Sequence, residues 1–182
     1  MTIIAVLDSD ILFQLPLRDT LLRAAENGIY EPRWSQKILD DTTRNLVNKG
    51  RSTELGVVRL QQNLKAYFPE AMVEVPEELI ERMTNHPGDR HVAAAAVMAN
   101  ATVIVTFNLR HFPEDSLTPW RIEAVRPDVF LNQLYENSAA ALLEIISQQA
   151  AALKNPPVSV TELLAKLSSQ VPEFVNKIRE NF

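Results

Sequence analysis

The sequence predicts an α/β fold in which a central parallel sheet carries helices on both faces. Residues 3–7 (IIAVL) and 102–107 (TVIVTF) are short apolar runs rich in β-branched side chains, which is typical of buried strands. Segments with helical periodicity alternate with the predicted strands along the chain. Because this alternation favours crossover connections, the strands should be parallel, and the two most apolar ones should be central.

Three helices are predicted in the first half of the chain, each with a recognisable start or end. They cover residues 19–27, 36–49 and about 53–67. Gly28 ends the first helix, Ser35 caps the second, and Ser52 or Thr53 caps the third. A short strand is predicted over residues 29–32, between the first two helices.

The alternation continues in the second half. The further elements are a strand over 72–75, a short helix over 77–84, an alanine-rich helix over 89–100, a weaker strand over 122–125 and a helix over about 128–153. Both apolar strands lead into polar residues, namely Asp8 after the first strand, and Thr106 and Asn108 at the second. Because ligands bind beyond the carboxyl ends of strands in open parallel sheets, we expect a site at this edge.

Residues 154–182 are predicted to form a linker followed by a helical appendage. The prolines of KNPPVS (154–159) cannot continue a helix, and Ser159 and Glu162 have the spacing of a capping box. Two short amphipathic helices follow, with an apolar stripe of Leu163, Leu164, Leu167, Phe174, Val175 and Ile178. Helices of this length are marginal alone, so they should pack on the preceding domain, on a second copy or on a partner.

The composition excludes several kinds of chemistry and location. The 182 residues contain no cysteine, which excludes disulfides, thiolate zinc sites and cysteine nucleophiles, and suits a reducing cytoplasm. The net charge of -5 argues against broad, non-specific nucleic-acid binding. No apolar run is long enough to span a bilayer, and the run near the N-terminus does not have the pattern of a signal peptide. We therefore expect a cytoplasmic protein without membrane contact.

Asp8 and Asp10 are the first candidates for a site at the sheet edge. Asp8 closes a buried strand, where an acid either lies over the sheet edge or caps the next element. Asp10 shares a side with Asp8 if the chain is still extended there. It therefore either lines the site or bonds to local backbone.

Helical phase separates two adjacent acids on the second predicted helix. At about 100° per residue, the apolar stripe of this helix consists of Ile38, Leu39, Thr42 and Leu46. Asp41 lies beside the stripe and can face the sheet edge, whereas Asp40 points nearly opposite, into solvent. Asp41 is therefore the better candidate, with a solvated helix face as the alternative for both.

Asp89 begins the alanine-rich helix, which can lie very close to the sheet. Asp89 is either an N-cap, favoured by free backbone N–H groups and the helix dipole, or a metal ligand, and the two roles are compatible. Carboxylates brought together from separate segments repel one another without a cation. In the absence of cysteine they suit a hard cation such as Mg²⁺ or Mn²⁺, which can activate a water and neutralise charge on a phosphodiester.

The ordered set of motifs resembles the PIN domain family, in its toxin-like, VapC-type branch of bacterial toxin–antitoxin systems. The likeness covers roughly residues 3–135, and its blocks are VLDSDILF, SQKILDDTTRNL, GDRHVAAAAVMANATVIVTFNLRHFP and RPDVFLNQL. The resemblance implies a three-layer α/β/α sandwich with a parallel sheet and a ribonuclease that depends on Mg²⁺ or Mn²⁺. It also implies an RNA substrate and an antitoxin protein as partners, with a homodimer as a further option.

The resemblance also implies site residues and a domain division. The positions of the family's acids and of its fourth polar residue correspond to Asp8, Asp41, Asp89 and Asn108, the three aspartates being the expected metal ligands. Asp41 stands where the family usually has Glu, which shortens the arm by one methylene, and Asn108 cannot supply negative charge. The division is a PIN-like nuclease domain over 1–153, with its core at about 3–135, and a linker with helical appendage over 154–182.

Further polar residues lie near these positions. Asn108 is expected to contact a water or a phosphate oxygen. Thr106 either hydrogen-bonds in the site or is a satisfied strand hydroxyl, and Arg110 either meets the RNA backbone or is a solvated loop cation. His91 and His111 are interpreted as structural or surface residues, because a metal held by oxygen ligands does not need them.

Two other functions remain as alternatives. The VLDSD segment also resembles the first motif of haloacid-dehalogenase-like phosphatases, but here Asp89 precedes Thr106, and no lysine follows Thr106 before Lys154. That order argues against a phosphatase. The second alternative is a module that keeps the fold and binds RNA or protein with weak or no catalysis, which the departures at Asp41 and Asn108 permit.

Overall fold

The computed structural model describes residues 2–182, which build a five-stranded, all-parallel sheet with the strand order β3-β2-β1-β4-β5. The strands are β1 (Ile4–Leu7), β2 (Glu31–Ser35), β3 (Met72–Val73), β4 (Val103–Val105) and β5 (Glu123–Val125). The predicted parallel sheet is confirmed, and so is the central position of the two apolar strands. In β1, Ala5, Val6 and Leu7 are fully buried, as expected of a strand that pairs on both sides.

Helices on the faces of this sheet complete a three-layer α/β/α sandwich. They are α1 (Ser9–Phe13), α2 (Leu17–Glu26), α3 (Gln36–Asn48), α4 (Glu54–Tyr67), α5 (Glu77–Arg82), α6 (Arg90–Met98), α7 (Glu114–Leu117), α8 (Pro127–Ala152), α9 (Val160–Leu167) and α10 (Pro172–Ile178). The alanine run of α6 lies fully buried, and α6 packs on β1, β2 and β4. The predicted caps at Ser35 and Thr53 each accept a backbone hydrogen bond from their helix.

The departures from prediction that bear on the site are an additional helix before the first predicted one and a shift of the second strand. A helix begins at Ser9, before the predicted one, because the Asp8 carboxylate accepts a hydrogen bond from the Ser9 backbone N–H at 2.6 Å and α1 buries its apolar residues. Asp10 therefore lies in a helix and not in extended chain. The second strand begins at Glu31 and ends at Ser35, and its Pro32 is tolerated because β3 pairs only from Trp34 onward.

The C-terminal helices pack on the rest of the chain. All six predicted stripe residues are buried in the main hydrophobic core, and α10 packs against α8. The Asp128 carboxylate caps α10 by accepting hydrogen bonds from the N–H groups of Glu173 at 2.9 Å and Phe174 at 2.7 Å. Gln170 donates to the Leu15 carbonyl at 2.9 Å. Of the alternatives left open by the sequence, packing on the preceding domain is the one observed.

A backbone break divides the long helix α8. Ser138 has φ -148° and ψ 44°, outside the helical region, so residues on either side form two helical pieces in one element. Within residues 2–182, no helix combines the length and apolar character needed to cross a membrane.

Candidate metal centre

The carboxyl ends of β1 and β4 bring the buried Asp8 and the half-buried Asp10 to one threonine. Asp8 follows β1 and is 5% exposed, and Thr106 follows β4 and is fully buried. The Thr106 hydroxyl lies 2.9 Å from Asp8 Oδ2 and 3.3 Å from Asp10 Oδ2. Since a hydroxyl has one hydrogen, it can donate fully to only one of the two carboxylates.

Asp10 contacts the end of β4 from the first turn of α1. Its Oδ2 accepts a hydrogen bond from the Phe107 backbone N–H at 3.0 Å, while its Oδ1 is buried without a hydrogen-bond partner. A buried carboxylate oxygen without a donor is costly. This oxygen is therefore free for a proton or a cation.

Burial raises the pKa of both carboxyls. The pKa of Asp8 rises to about 6, mainly by desolvation and further by the charges of Asp89 and Asp41. The pKa of Asp10 rises to about 7, again mainly by desolvation and then by the charge of Asp8. The protein thus concentrates more negative charge at this edge than its own donors neutralise, which is the electrostatic condition for binding a cation.

Stability of the metal-free protein should fall as the pH rises from about 4 to about 7. The folded carboxyls hold protons more tightly than the unfolded chain, whose aspartates titrate near 3.8. Their stabilising contribution is therefore complete below pH 3.8 and lost as the pH passes about 6 to 7. In Asp10→Asn, the fall in the free energy of unfolding between pH 5 and pH 8 should be smaller by roughly 3 kcal/mol. Urea unfolding in EDTA at the two pH values measures this difference. Equal pH dependence in the variant and the wild type would contradict the assignment.

The side chains of Asp89 and Asn108 both contact the ring of His111. Asp89 precedes α6 and makes no side-chain cap hydrogen bond. Its Oδ2 lies 2.6 Å from His111 Nδ1, and Asn108 Nδ2 lies 2.6 Å from the same nitrogen. The backbone N–H of Asn108 donates to Thr106 Oγ1 at 3.0 Å, which joins this group to Asp8. The exposed Arg110 donates from Nε to Asn108 Oδ1 at 3.1 Å.

Histidine contacts at the site were not foreseen from the sequence. The rings of His86 and His111 are stacked, with centroids 3.8 Å apart and planes 7° apart. His86, Asp89 and His111 each offer one ligand atom, and these atoms lie within 4.8 Å of one another. The sequence offered only the spacing of three residues between Asn108 and His111, which the short helical turn over 109–111 brings next to each other.

Asp41 lies at the periphery of the site, inside a network of cations. Lys37 Nζ and Arg44 Nη2 donate to its Oδ1 at 2.9 and 2.7 Å, and His91 Nε2 lies 3.2 Å from its Oδ2. Burial acts to raise the pKa of Asp41, but the hydrogen bonds from the two cations outweigh it and lower the pKa. His91 itself is buried, and desolvation lowers its pKa. Asp40 is exposed and accepts from Gln side chains.

The structure therefore places the sequence-predicted residues in two linked groups, with Asp41 separate from both. Asp8 and Asp10 share Thr106, Asp89 and Asn108 share His111, and Asp41 stands apart behind His91. The charges of Asp41 and Asp89 both raise the pKa of Asp8. The oxygen donors on the described residues fit a hard divalent cation, because they combine carboxylates with an amide and a hydroxyl.

Comparisons with known proteins cover both parts of the chain. A family model described as the PIN domain matches residues 5–110, and a model described as the VapC50 C-terminal domain matches residues 127–180. The protein named "Putative ribonuclease VapC50" from Mycobacterium tuberculosis is 46% identical over 108 residues. This match covers 58% of the chain and 62% of the relative, so the chain spans less than two thirds of that protein. The second family match begins at the first residue of α8.

Proposed function

The chain belongs to the PIN domain family, and from that premise we propose that it is a metal-dependent endoribonuclease, the toxin of a toxin–antitoxin pair. The observation that carries the proposal is the pair of the buried Asp8 and the half-buried Asp10, whose carboxylates share one hydroxyl and have raised pKa values. The name of the 46% identical relative supports the same reaction. RNA, an antitoxin protein, a homodimer and a cytoplasmic location belong to this proposal.

The site residues would hold Mg²⁺ or Mn²⁺. We assign Asp8, Asp41 and Asp89 as ligands, with Asn108 beside them, and the bound ion would supply an activated water and charge neutralisation at the phosphodiester. The Thr106 hydroxyl orients Asp8 through the 2.9 Å hydrogen bond. His111 fixes the direction of the Asp89 carboxylate at 2.6 Å, as partners of metal ligands commonly do.

Exposed cations at the rim of the site are suited to the RNA backbone. Lys37, Arg44 and Arg110 are exposed and surround the acidic groups. Cations in such positions contact phosphate oxygens and place the chain without reading its sequence. A net charge of -5 confines this attraction to the neighbourhood of the site.

RNA cleavage should require a divalent cation. Structured RNA incubated with the purified protein should be cut in Mg²⁺ or Mn²⁺ and left intact in EDTA, and an excess of Mn²⁺ added afterwards should restore cleavage. Gel analysis of end-labelled RNA measures this, with Asp8→Asn protein as the control for contaminating nucleases. Full activity in EDTA would refute the proposal. Hydrolysis of a small phosphomonoester in the same buffers would favour the phosphatase alternative.

Two neighbouring acids on α3 should differ in their importance. Asp40→Ala should change kcat/KM less than about twofold, because the Asp40 carboxylate accepts hydrogen bonds only from the side-chain amides of Gln36 and Gln61. Asp41→Ala should lower it at least about tenfold, equivalent to ~1.4 kcal/mol, since it removes a ligand and leaves two cations unpaired. Steady-state cleavage kinetics of the two proteins give the comparison. Equal losses, or a greater loss for Asp40→Ala, would exclude Asp41 from the site.

A binding module without catalysis is the second candidate. The observation in its favour is the closed ion network around Asp41, whose carboxylate already contacts Lys37, Arg44 and His91. Calorimetric titration with Mn²⁺ separates the two candidates, because a nuclease should bind the ion and lose that binding in Asp8→Asn. RNA binding without Mn²⁺ binding or cleavage would favour the module.

A further inference from the structure

His111 Nδ1 cannot satisfy both of its neighbours while the Asn108 amide turns its nitrogen toward the ring. Its Nδ1 lies 2.6 Å from Asp89 Oδ2 and 2.6 Å from Asn108 Nδ2. If Nδ1 carries hydrogen, it donates to the carboxylate but faces the hydrogens of the amide. If Nδ1 is bare, it accepts from the amide but sets a lone pair against the carboxylate.

A cation removes this conflict. An ion bound by His111 Nδ1 and Asp89 Oδ2 accepts both lone pairs, and the Asn108 amide can then turn its oxygen inward. The turn releases the hydrogen bond from Arg110 to Asn108 Oδ1, which costs little because Arg110 is exposed and water replaces the bond.

His86 supplies a third ligand next to this pair. Its ligand atom lies within 4.8 Å of those of Asp89 and His111. The two stacked rings cannot direct their lone pairs at one point, so His86 has to turn out of the stack. His86 is exposed, and its Nδ1 is held only by the Gly88 backbone N–H at 3.2 Å, so this rotation is open to it.

The donor atoms of this triad favour a different ion from the one that the carboxylate site favours. Two imidazole nitrogens and one carboxylate oxygen suit Zn²⁺ and its neighbours in the transition series, whereas Mg²⁺ prefers oxygen ligands throughout. We propose that His86, Asp89 and His111 form a transition-metal site for Zn²⁺ that shares only Asp89 with the site for Mg²⁺ or Mn²⁺. Given the proposed function, Zn²⁺ at this position occupies Asp89, which is then no longer a ligand for Mg²⁺ or Mn²⁺, and RNA cleavage is inhibited.

Direct metal binding to the metal-stripped, full-length chain tests the proposal. Calorimetry with Zn²⁺ and the visible absorption of bound Co²⁺ should both report one site in the wild type. His86→Ala and His111→Ala should each weaken Zn²⁺ binding at least about tenfold, and Asp8→Asn, the matched control outside the triad, should change it less than about twofold. Circular dichroism shows whether each variant is folded, and His111→Gln replaces His111→Ala if that protein does not fold.

The outcomes separate this proposal from the ribonuclease proposal. Zn²⁺ affinity that is insensitive to both histidine substitutions, or that falls equally in Asp8→Asn, overturns the histidine site. Cleavage inhibition adds a second readout, since the Zn²⁺ concentration that halves each protein's own rate should rise at least about tenfold in His86→Ala. If no protein cleaves RNA but Zn²⁺ binding follows the histidines, the ribonuclease proposal fails and the zinc site stands.

Discussion

Asp8→Asn and Asp89→Asn should each nearly abolish RNA cleavage while the protein remains folded. We expect a loss of at least about a hundredfold in kcat/KM, because each substitution removes a charged ligand from a site whose function is to hold a divalent cation. The two residues approach the site from different elements, Asp8 from the end of β1 and Asp89 from the start of α6. A loss in both variants would therefore show that the two elements build one site.

The stability of these variants distinguishes a metal ligand from a structural residue. Asp8 is 5% exposed and its pKa is raised to about 6, so its charge is unfavourable in the metal-free fold. Asp8→Asn should therefore leave the urea midpoint in EDTA unchanged or raised at pH 8. An unfolded variant would mean that the residue is mainly structural.

A matched control shows whether the loss of cleavage depends on the site or only on the loss of one negative charge. Asp115 is an exposed aspartate on α7, and Asp115→Asn removes the same charge outside the site. Its cleavage rate should stay within about twofold of the wild type. Retained activity in both Asp8→Asn and Asp89→Asn, measured beside this control, would show that the site is misassigned.

Local signals in the sequence predicted the elements that depend on one segment. Strands β1 and β4 are continuous apolar runs, and the caps at Ser35 and Thr53 satisfy their own helices. The phase of α3 likewise distinguished the exposed Asp40 from the partly buried Asp41. Such features follow from periodicity and capping, which a sequence displays directly.

Contacts between distant segments could not be predicted in the same way. The hydrogen bond from Thr106 to Asp8 joins residues 98 positions apart, and the contact of Asp89 with His111 depends on the loop after β4. The sequence left open whether Asp10 lies in extended chain, and its contacts with Thr106 and Phe107 join residues 96 and 97 positions apart. These pairings come from tertiary packing, for which no local pattern exists.

Deletion of residues 155–182 should cost the protein most of its stability. The deletion removes α9, α10 and the residues between them, and six of the lost side chains are fully buried, namely Leu163, Leu167, Val171, Phe174, Val175 and Ile178. At about 1.5–3 kcal/mol for each of these six side chains, the loss is about 9–18 kcal/mol, which is an upper estimate. This is comparable to the whole free energy of unfolding of a typical domain, about 5–15 kcal/mol.

The truncated chain should therefore expose the apolar surface of α8 that packs against α9 and α10, and it should aggregate. Light scattering and thermal unfolding of the purified proteins measure this, with deletion of residues 180–182 as the control, because those three residues are exposed. The control should have the same light scattering and the same Tm as the full chain. A truncated protein that stays monomeric with an unchanged Tm would show that the C-terminal helices contribute little.

The same deletion tests whether residues 1–153 build the metal site alone. Any truncated protein that stays soluble should bind Mn²⁺ with similar affinity, because every assigned ligand lies between Asp8 and Asn108. One residue of the deleted segment could affect Mn²⁺ affinity. Gln170 accepts a hydrogen bond from the Leu17 backbone N–H at 3.2 Å and donates to the Leu15 carbonyl at 2.9 Å. These contacts hold the segment that follows α1, the helix of Asp10. If Mn²⁺ affinity falls in the soluble truncated chain, and Gln170→Ala in the full chain reproduces the fall, the C-terminal helices help to shape the site, and the predicted division at residue 154 is wrong.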